Sequence, residues 1–142
     1  MSCNIVTTER QLTAVIRAAS PFDKLPETHR TARAALASVL PSLEAGPLGP
    51  ACTRWTRPSG SVLPMEIGCI VARGFAPRGE VVPSELPAGR AAHLVMTGSF
   101  EGLPRAWETL FEWCQKEKLQ PAGINWEIYG AAADAELYAL LA

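Results

Sequence analysis

The sequence has almost no net charge: thirteen basic residues stand against fourteen acidic ones, a formal charge of -1 over 142 residues. No general electrostatic pull therefore draws the chain to nucleic acid or to an anionic membrane, and direct nucleic-acid binding is not expected. The opening residues, Met1-Ser-Cys-Asn-Ile-Val-Thr-Thr-Glu-Arg10, lack the basic start and apolar run of a signal peptide, and no apolar stretch approaches membrane-spanning length. A soluble, cytoplasmic protein is expected. Cys3, Cys52, Cys69 and Cys114 show no Cys-x-x-Cys spacing, and neither His29 nor His93 lies at metal-ligand spacing from them. They read as reduced thiols, so no metal, no disulfide and no other cofactor is expected. A phosphate loop is also missing, since Gly46-Pro-Leu-Gly49 lacks the lysine and the following helix that such a loop requires. No Ser or Cys sits in a nucleophile motif, which argues against a catalytic triad.

What is present is apolar: 48% of the residues are hydrophobic, enough for one domain over residues 1–142 with a sizeable core and no staple. The most informative feature is an internal repeat. Ser20-Pro-Phe-Asp-Lys-Leu-Pro26 recurs as Gly98-Ser-Phe-Glu-Gly-Leu-Pro104, a shift of 78 residues that sets Phe22 on Phe100 and Pro26 on Pro104. An apolar, partly β-branched run of strand length precedes each copy, Leu12 to Ala19 and Ala91 to Thr97. Each proline then occupies the first turn of a helix, where its missing N–H costs nothing, with an acid just before it as the helix dipole prefers. In the second helix Leu103, Trp107, Leu110, Phe111 and Cys114 form one apolar stripe; in the first, Leu25, Ala32, Leu36, Val39 and Leu40 do so more weakly, with His29 at the position of Trp107. Pro41 and Lys118-Leu-Gln-Pro121 end them.

Two strands follow each helix. Gly49 to Trp55 lies over Gly123 to Tyr129, setting Thr53 on Glu127 and Trp55 on Tyr129, and Met65 to Val71 lies over Ala135 to Leu141. Pro121-Ala-Gly123 is expected as the turn before the strand holding Glu127, and Gly130-Ala-Ala-Ala-Asp134 as the connection after it. The halves, about 10–72 and about 81–142, join through the Gly- and Pro-containing Arg73 to Gly79. The fold class is therefore α+β: duplicated β-α-β-β repeats with pseudo-twofold symmetry. Since about seventy residues with one helix bury too little to stand alone, the two sheets are expected to pack face to face. Each would carry its own helix outside, and a central ligand groove would lie between them.

In the strand Trp126-Glu127-Ile128-Tyr129, residues two apart share a face, so an acid and a phenol point one way while Trp126 and Ile128 point the other. A lone strand Glu ordinarily sits at a solvated edge. The repeat favours instead a groove acid, with Thr53, Trp55 and Tyr129 beside it and Phe22 and Phe100 as rims. Among aromatic rings a carboxylate loses hydration, which favours its neutral form unless a cation or hydrogen bonds hold the charge. Such a group suits cation recognition; equally, Glu127 as general base and Tyr129 as hydrogen-bond donor suit hydrolysis. Trp107 reads as a core or groove-floor aromatic, and Glu66 and Glu136 as structural acids.

Leu86-Pro-Ala-Gly89, the Gly98 to Pro104 turn, the helix with Trp113, and Trp126-Glu127-Ile128-Tyr129 together resemble the GyrI-like small-molecule-binding family, over nearly the whole chain. Members of that family include the effector-binding ends of MerR-type and AraC-type multidrug regulators. The resemblance implies a groove for bulky, often cationic or planar aromatic compounds, lined by Glu127 and Tyr129. It also implies two other roles found among relatives: hydrolysis of cyclopropane-bearing alkylating compounds by that Glu and Tyr, and protein interaction of the gyrase-inhibitor kind. No helix-turn-helix precedes the domain, so a regulatory role would require a separate DNA-binding partner.

Overall fold

A computed structural model describes residues 2–132 and 134–142; Ala133, in the connection expected after the Glu127 strand, lies outside them. Eight strands and two α-helices run in the order β1 (Cys3–Thr8), β2 (Gln11–Pro21), α1 (Leu25–Val39), β3 (Leu48–Trp55), β4 (Val62–Val71), β5 (Val81–Leu86), β6 (Gly89–Met96), α2 (Leu103–Lys116), β7 (Pro121–Tyr129) and β8 (Ala135–Leu141). Short 3-10 turns at Phe22–Lys24 and Phe100–Gly102 lead into the helices, with Pro26 and Pro104 in their first turns. Ser99 caps the second turn by accepting from the Glu101 N–H at 3.2 Å. Ser99→Ala should therefore lower stability by about 0.5–1 kcal/mol in urea unfolding, the ordinary cost of losing a cap.

All strands pair antiparallel in one sheet, ordered β1-β6-β8-β7-β3-β4-β2-β5. This corrects the expected face-to-face packing of two sheets. Left as separate sheets, β3 and β7 would each expose a row of unpaired N–H and C=O groups; pairing them edge to edge satisfies both. Both helices cover the same side. Ala32 and Leu36 of α1 pack on Ala14 and Ile16 of β2 and on Met65, Ile67 and Cys69 of β4. Ala106, Leu110 and Cys114 of α2 pack on Ala92, Leu94 and Met96 of β6 and on Leu137 of β8. Trp55, expected to face away from the helices, packs on the α1 side.

The helix-free side has its own core, in which Val6 of β1 and Leu86 of β5, from the two edges, pack with Cys52 and Trp126 from the centre. The sheet therefore curls until its edges meet. The tight link between β5 and β6 helps to hold it, with Thr8 Oγ1 donating to the carbonyls of Pro87 at 2.9 Å and Gly89 at 3.1 Å. Strands β1 and β5 were not expected from the sequence. Pro121, expected in a turn, already pairs with Leu141, and the extra residues before Asn125 form a bulge. Among the described residues no helix is long and apolar enough to cross a membrane.

Candidate functional site

Helix α1 lies over β2 and β4, and α2 over β6, so the central strands β3 and β7 form the floor between them. Thr53 of β3 and Glu127 of β7 are direct partners across that junction, and directly opposed residues of an antiparallel pair share a face. Both side chains rise toward the helices. Thr53 is fully buried and Glu127 is 3% exposed, so the solvated-edge reading does not hold.

Both carboxyl oxygens of Glu127 accept hydrogen bonds. The Tyr129 hydroxyl approaches Oε1 at 2.5 Å and the Trp107 indole N–H donates to Oε2 at 2.6 Å. The alternation of β7 sets Glu127 and Tyr129 side by side, while Trp126 goes into the opposite core and stacks on Tyr138 at 5.2 Å. Among the described residues Glu127 forms no ion pair. A buried carboxyl held only by neutral donors is unusual enough to mark a site.

From α1, His29 and Arg33 close the other side. Thr53 Oγ1 lies 2.8 Å from the Tyr129 oxygen, 3.3 Å from His29 Nε2 and 3.4 Å from Arg33 Nη2. Arg33 spends its other donors on strand carbonyls, Gly68 at 2.6 Å and Cys52 at 3.0 Å, and its guanidinium stands 5.7 Å above the Tyr129 ring. Burial raises the Tyr129 phenol far above its usual range, and the neighbouring Glu127 adds to the rise. Burial lowers His29, with Arg33 acting in the same direction and the Leu25 carbonyl and Glu127 opposing.

Aromatic rings surround this cluster. Phe100 meets Tyr129 edge-on at 5.5 Å, Phe111 stacks on Trp107 at 5.5 Å, and Trp55 lies 5.4 Å from His29. Phe22, 54% exposed at the entry to α1, takes no part in these ring contacts. Trp55 Nε1 and Asn125 Oδ1, on residues paired across β3 and β7, are both buried with no hydrogen-bond partner among the described residues: one unused donor and one unused acceptor on the strands that carry Thr53 and Glu127. Glu66 binds Arg17 and Ser84, and Glu136 binds His93, so neither belongs to the cluster.

Of the residues expected at the site, Glu127, Tyr129, Thr53, Trp55, Phe100 and Trp107 come together in this cluster and Phe22 does not; His29 and Arg33 join it without having been expected there. A signal existed for Arg33: the 78-residue shift lays it on Phe111, a member of the apolar stripe read along α2.

A family model for the GyrI-like small molecule binding domain matches residues 1–139. Among solved structures, the EcmrR C-terminal domain superposes with a TM-score of 0.78 at 14% identity, covering 99% of this chain and 97% of that one. The chain spans only 57% of EcmrR as seen in its DNA complex, at TM-score 0.79 and 13% identity, with 99% of this chain covered. SAV2435 bound to tetraphenylphosphonium gives 0.72 at 10% identity, covering 100% of this chain and 94% of that one. A hydrolase from Listeria innocua gives 0.63 at 10%, covering 99% and 91%. At such identities the likeness is one of fold. No curated protein matches the chain in sequence. The family match, spanning both helices and all but the last residues of β8, shows that the chain belongs to the GyrI-like small-molecule-binding domains.

Proposed function

We propose that the domain binds aromatic or hydrophobic organic cations between α1 and α2, over the β3–β7 junction, with Glu127 as counter-ion. One observation carries this reading: a carboxyl group 3% exposed, held by Trp107 and Tyr129 with Phe100 against the Tyr129 ring, that forms no ion pair among the described residues. A carboxylate so placed gains more from a cation of low hydration than from water, and the rings add roughly 0.5–2 kcal/mol of cation–π attraction. Access requires Trp107 to swing away, its indole N–H giving up Oε2 to the ligand. The unpaired Trp55 N–H and Asn125 oxygen would take a polar group on the same ligand. The SAV2435 structure, holding a lipophilic cation on the same fold, agrees with this choice.

The chain also reads as a duplication centred on this site. The shift that lays His29 on Trp107 accompanies one that lays Thr53 on Glu127; His29 touches Thr53 as Trp107 touches Glu127, and Thr53 and Glu127 pair with each other. Hydrolysis is the second reading, favoured by the 2.5 Å contact of a phenol with a carboxyl group. Both carboxyl oxygens are already engaged, however, which leaves no free base for a nucleophile in this conformation.

Titration with tetraphenylphosphonium and with neutral triphenylphosphine oxide, followed by tryptophan fluorescence, tests the proposal. The cation should bind at least about tenfold more tightly, a difference of about 1.4 kcal/mol, and quench the emission as Trp107 moves. Equal affinities would remove the counter-ion role. Turnover of a cyclopropane-bearing electrophile, lost in Glu127→Gln, would instead support the hydrolase.

A further inference from the structure

His29, Thr53, Tyr129 and Glu127 form a hydrogen-bonded chain whose hydrogens can be counted. His29 Nδ1 lies 3.1 Å from the Leu25 carbonyl, which can only accept, so Nδ1 carries a hydrogen. Three links remain: His29 Nε2 to Thr53 Oγ1 at 3.3 Å, Thr53 Oγ1 to the Tyr129 oxygen at 2.8 Å, and that oxygen to Glu127 Oε1 at 2.5 Å. The two hydroxyl groups supply two hydrogens for three links. Completing the chain takes one more proton, held either on Glu127 as a carboxylic acid or on His29 Nε2 as an imidazolium. Thr53 accepts from Arg33 in both states, so switching between them leaves no donor stranded.

We propose that the empty site holds this additional proton on Glu127, and that binding of a cation expels it through Tyr129 and Thr53 to His29 and from there to water. Glu127 gives its proton to the Tyr129 oxygen, Tyr129 gives its own to Thr53 Oγ1, and Thr53 gives its own to His29 Nε2. Glu127 ends as a carboxylate facing the ligand, both hydroxyls are restored, and the imidazolium releases the proton from its half-buried position. The charged and titratable groups facing the imidazole are Arg33 on its own helix and Glu127 and Tyr129 on β7; burial and Arg33 disfavour keeping the charge on His29, which favours release. The site thereby selects ligands of fixed positive charge, since a cation is what drives the proton out. This inference rests on the cation reading and names how that site is regulated.

Calorimetry of tetraphenylphosphonium binding in phosphate, HEPES and Tris at pH 7 reads the proton count from the dependence of the heat on buffer ionisation. About one proton should be released per cation, and the affinity should rise with pH wherever that release occurs. In His29→Phe the chain has two links for two hydroxyl hydrogens and needs no third proton, so release should fall toward zero and the pH slope should flatten. Should that variant not fold, infrared difference spectra of the parent protein still decide, because a carboxylic-acid carbonyl band should vanish when the cation binds. Cation binding with no proton release and no such band overturns this inference alone; no binding of the cation at any pH overturns it together with the cation reading.

Discussion

Glu127→Gln should weaken binding of tetraphenylphosphonium by about tenfold to a hundredfold, or about 1.5–3 kcal/mol, and leave a neutral aromatic of similar size nearly unchanged. The substitution is clean because the hydrogen-bonding neighbours can accommodate it. The Trp107 indole only donates, so the Gln carbonyl oxygen must face it, and the amide nitrogen then donates to the Tyr129 oxygen, freeing the phenol hydrogen for Thr53. Shape and hydrogen bonding survive while the capacity to carry charge is lost. Tyr129→Phe separates the two chemical readings: a receptor keeps the ring and most of its affinity, whereas a hydrolase loses the donor that stabilises a leaving or developing oxyanion. If Glu127→Gln left cation affinity intact, recognition would rest on the rings alone.

The sequence made this test visible through local pattern. Period-two alternation in Trp126-Glu127-Ile128-Tyr129 sets an acid beside a phenol whatever the tertiary fold, and the helices declare themselves by apolar stripes and first-turn prolines. The helix bounds and β8 follow the expected segments closely. Layering was not legible, because whether two half-sheets stack or join edge to edge depends on long-range pairing of β3 with β7, and the same alternation serves both. That is why Trp55 and Glu127 were expected on the face away from the helices. β1 and β5 escaped notice for a different reason: half of Cys3 to Thr8 is polar, and β5 contains Pro83, which ordinarily argues against a strand. Arg33 was missed because a helical arginine usually faces water; here its donors are taken up by carbonyls of the sheet.

Gly68→Ala should be the most damaging glycine-to-alanine change among the described residues. Gly68 pairs with Val15 in the middle of the sheet, and a Cβ there would lie 1.8 Å from the Ala14 carbonyl oxygen and 2.8 Å from the Val15 Cα, both backbone atoms that cannot rotate aside. Relief requires β2 and β4 to part, breaking ladder hydrogen bonds that sit beneath the packing of α1. The carbonyl of Gly68 also anchors Arg33 at 2.6 Å, so the displacement would reach Thr53 and the proposed ligand site. A loss of about 4 kcal/mol or more is expected, in the range reserved for severe core disruption, which for a chain of this size lowers the melting temperature by roughly 10–15 °C. Gly74 is the matched control, with open space where its Cβ would go and no left-handed backbone to strain; Gly74→Ala should be neutral or stabilising by up to about 1 kcal/mol through a less flexible unfolded chain. Urea and thermal unfolding of the two variants side by side give the comparison. A Gly68→Ala protein that melts with the parent would mean that β2 and β4 can separate at that point without cost, and that Arg33 does not depend on their close approach.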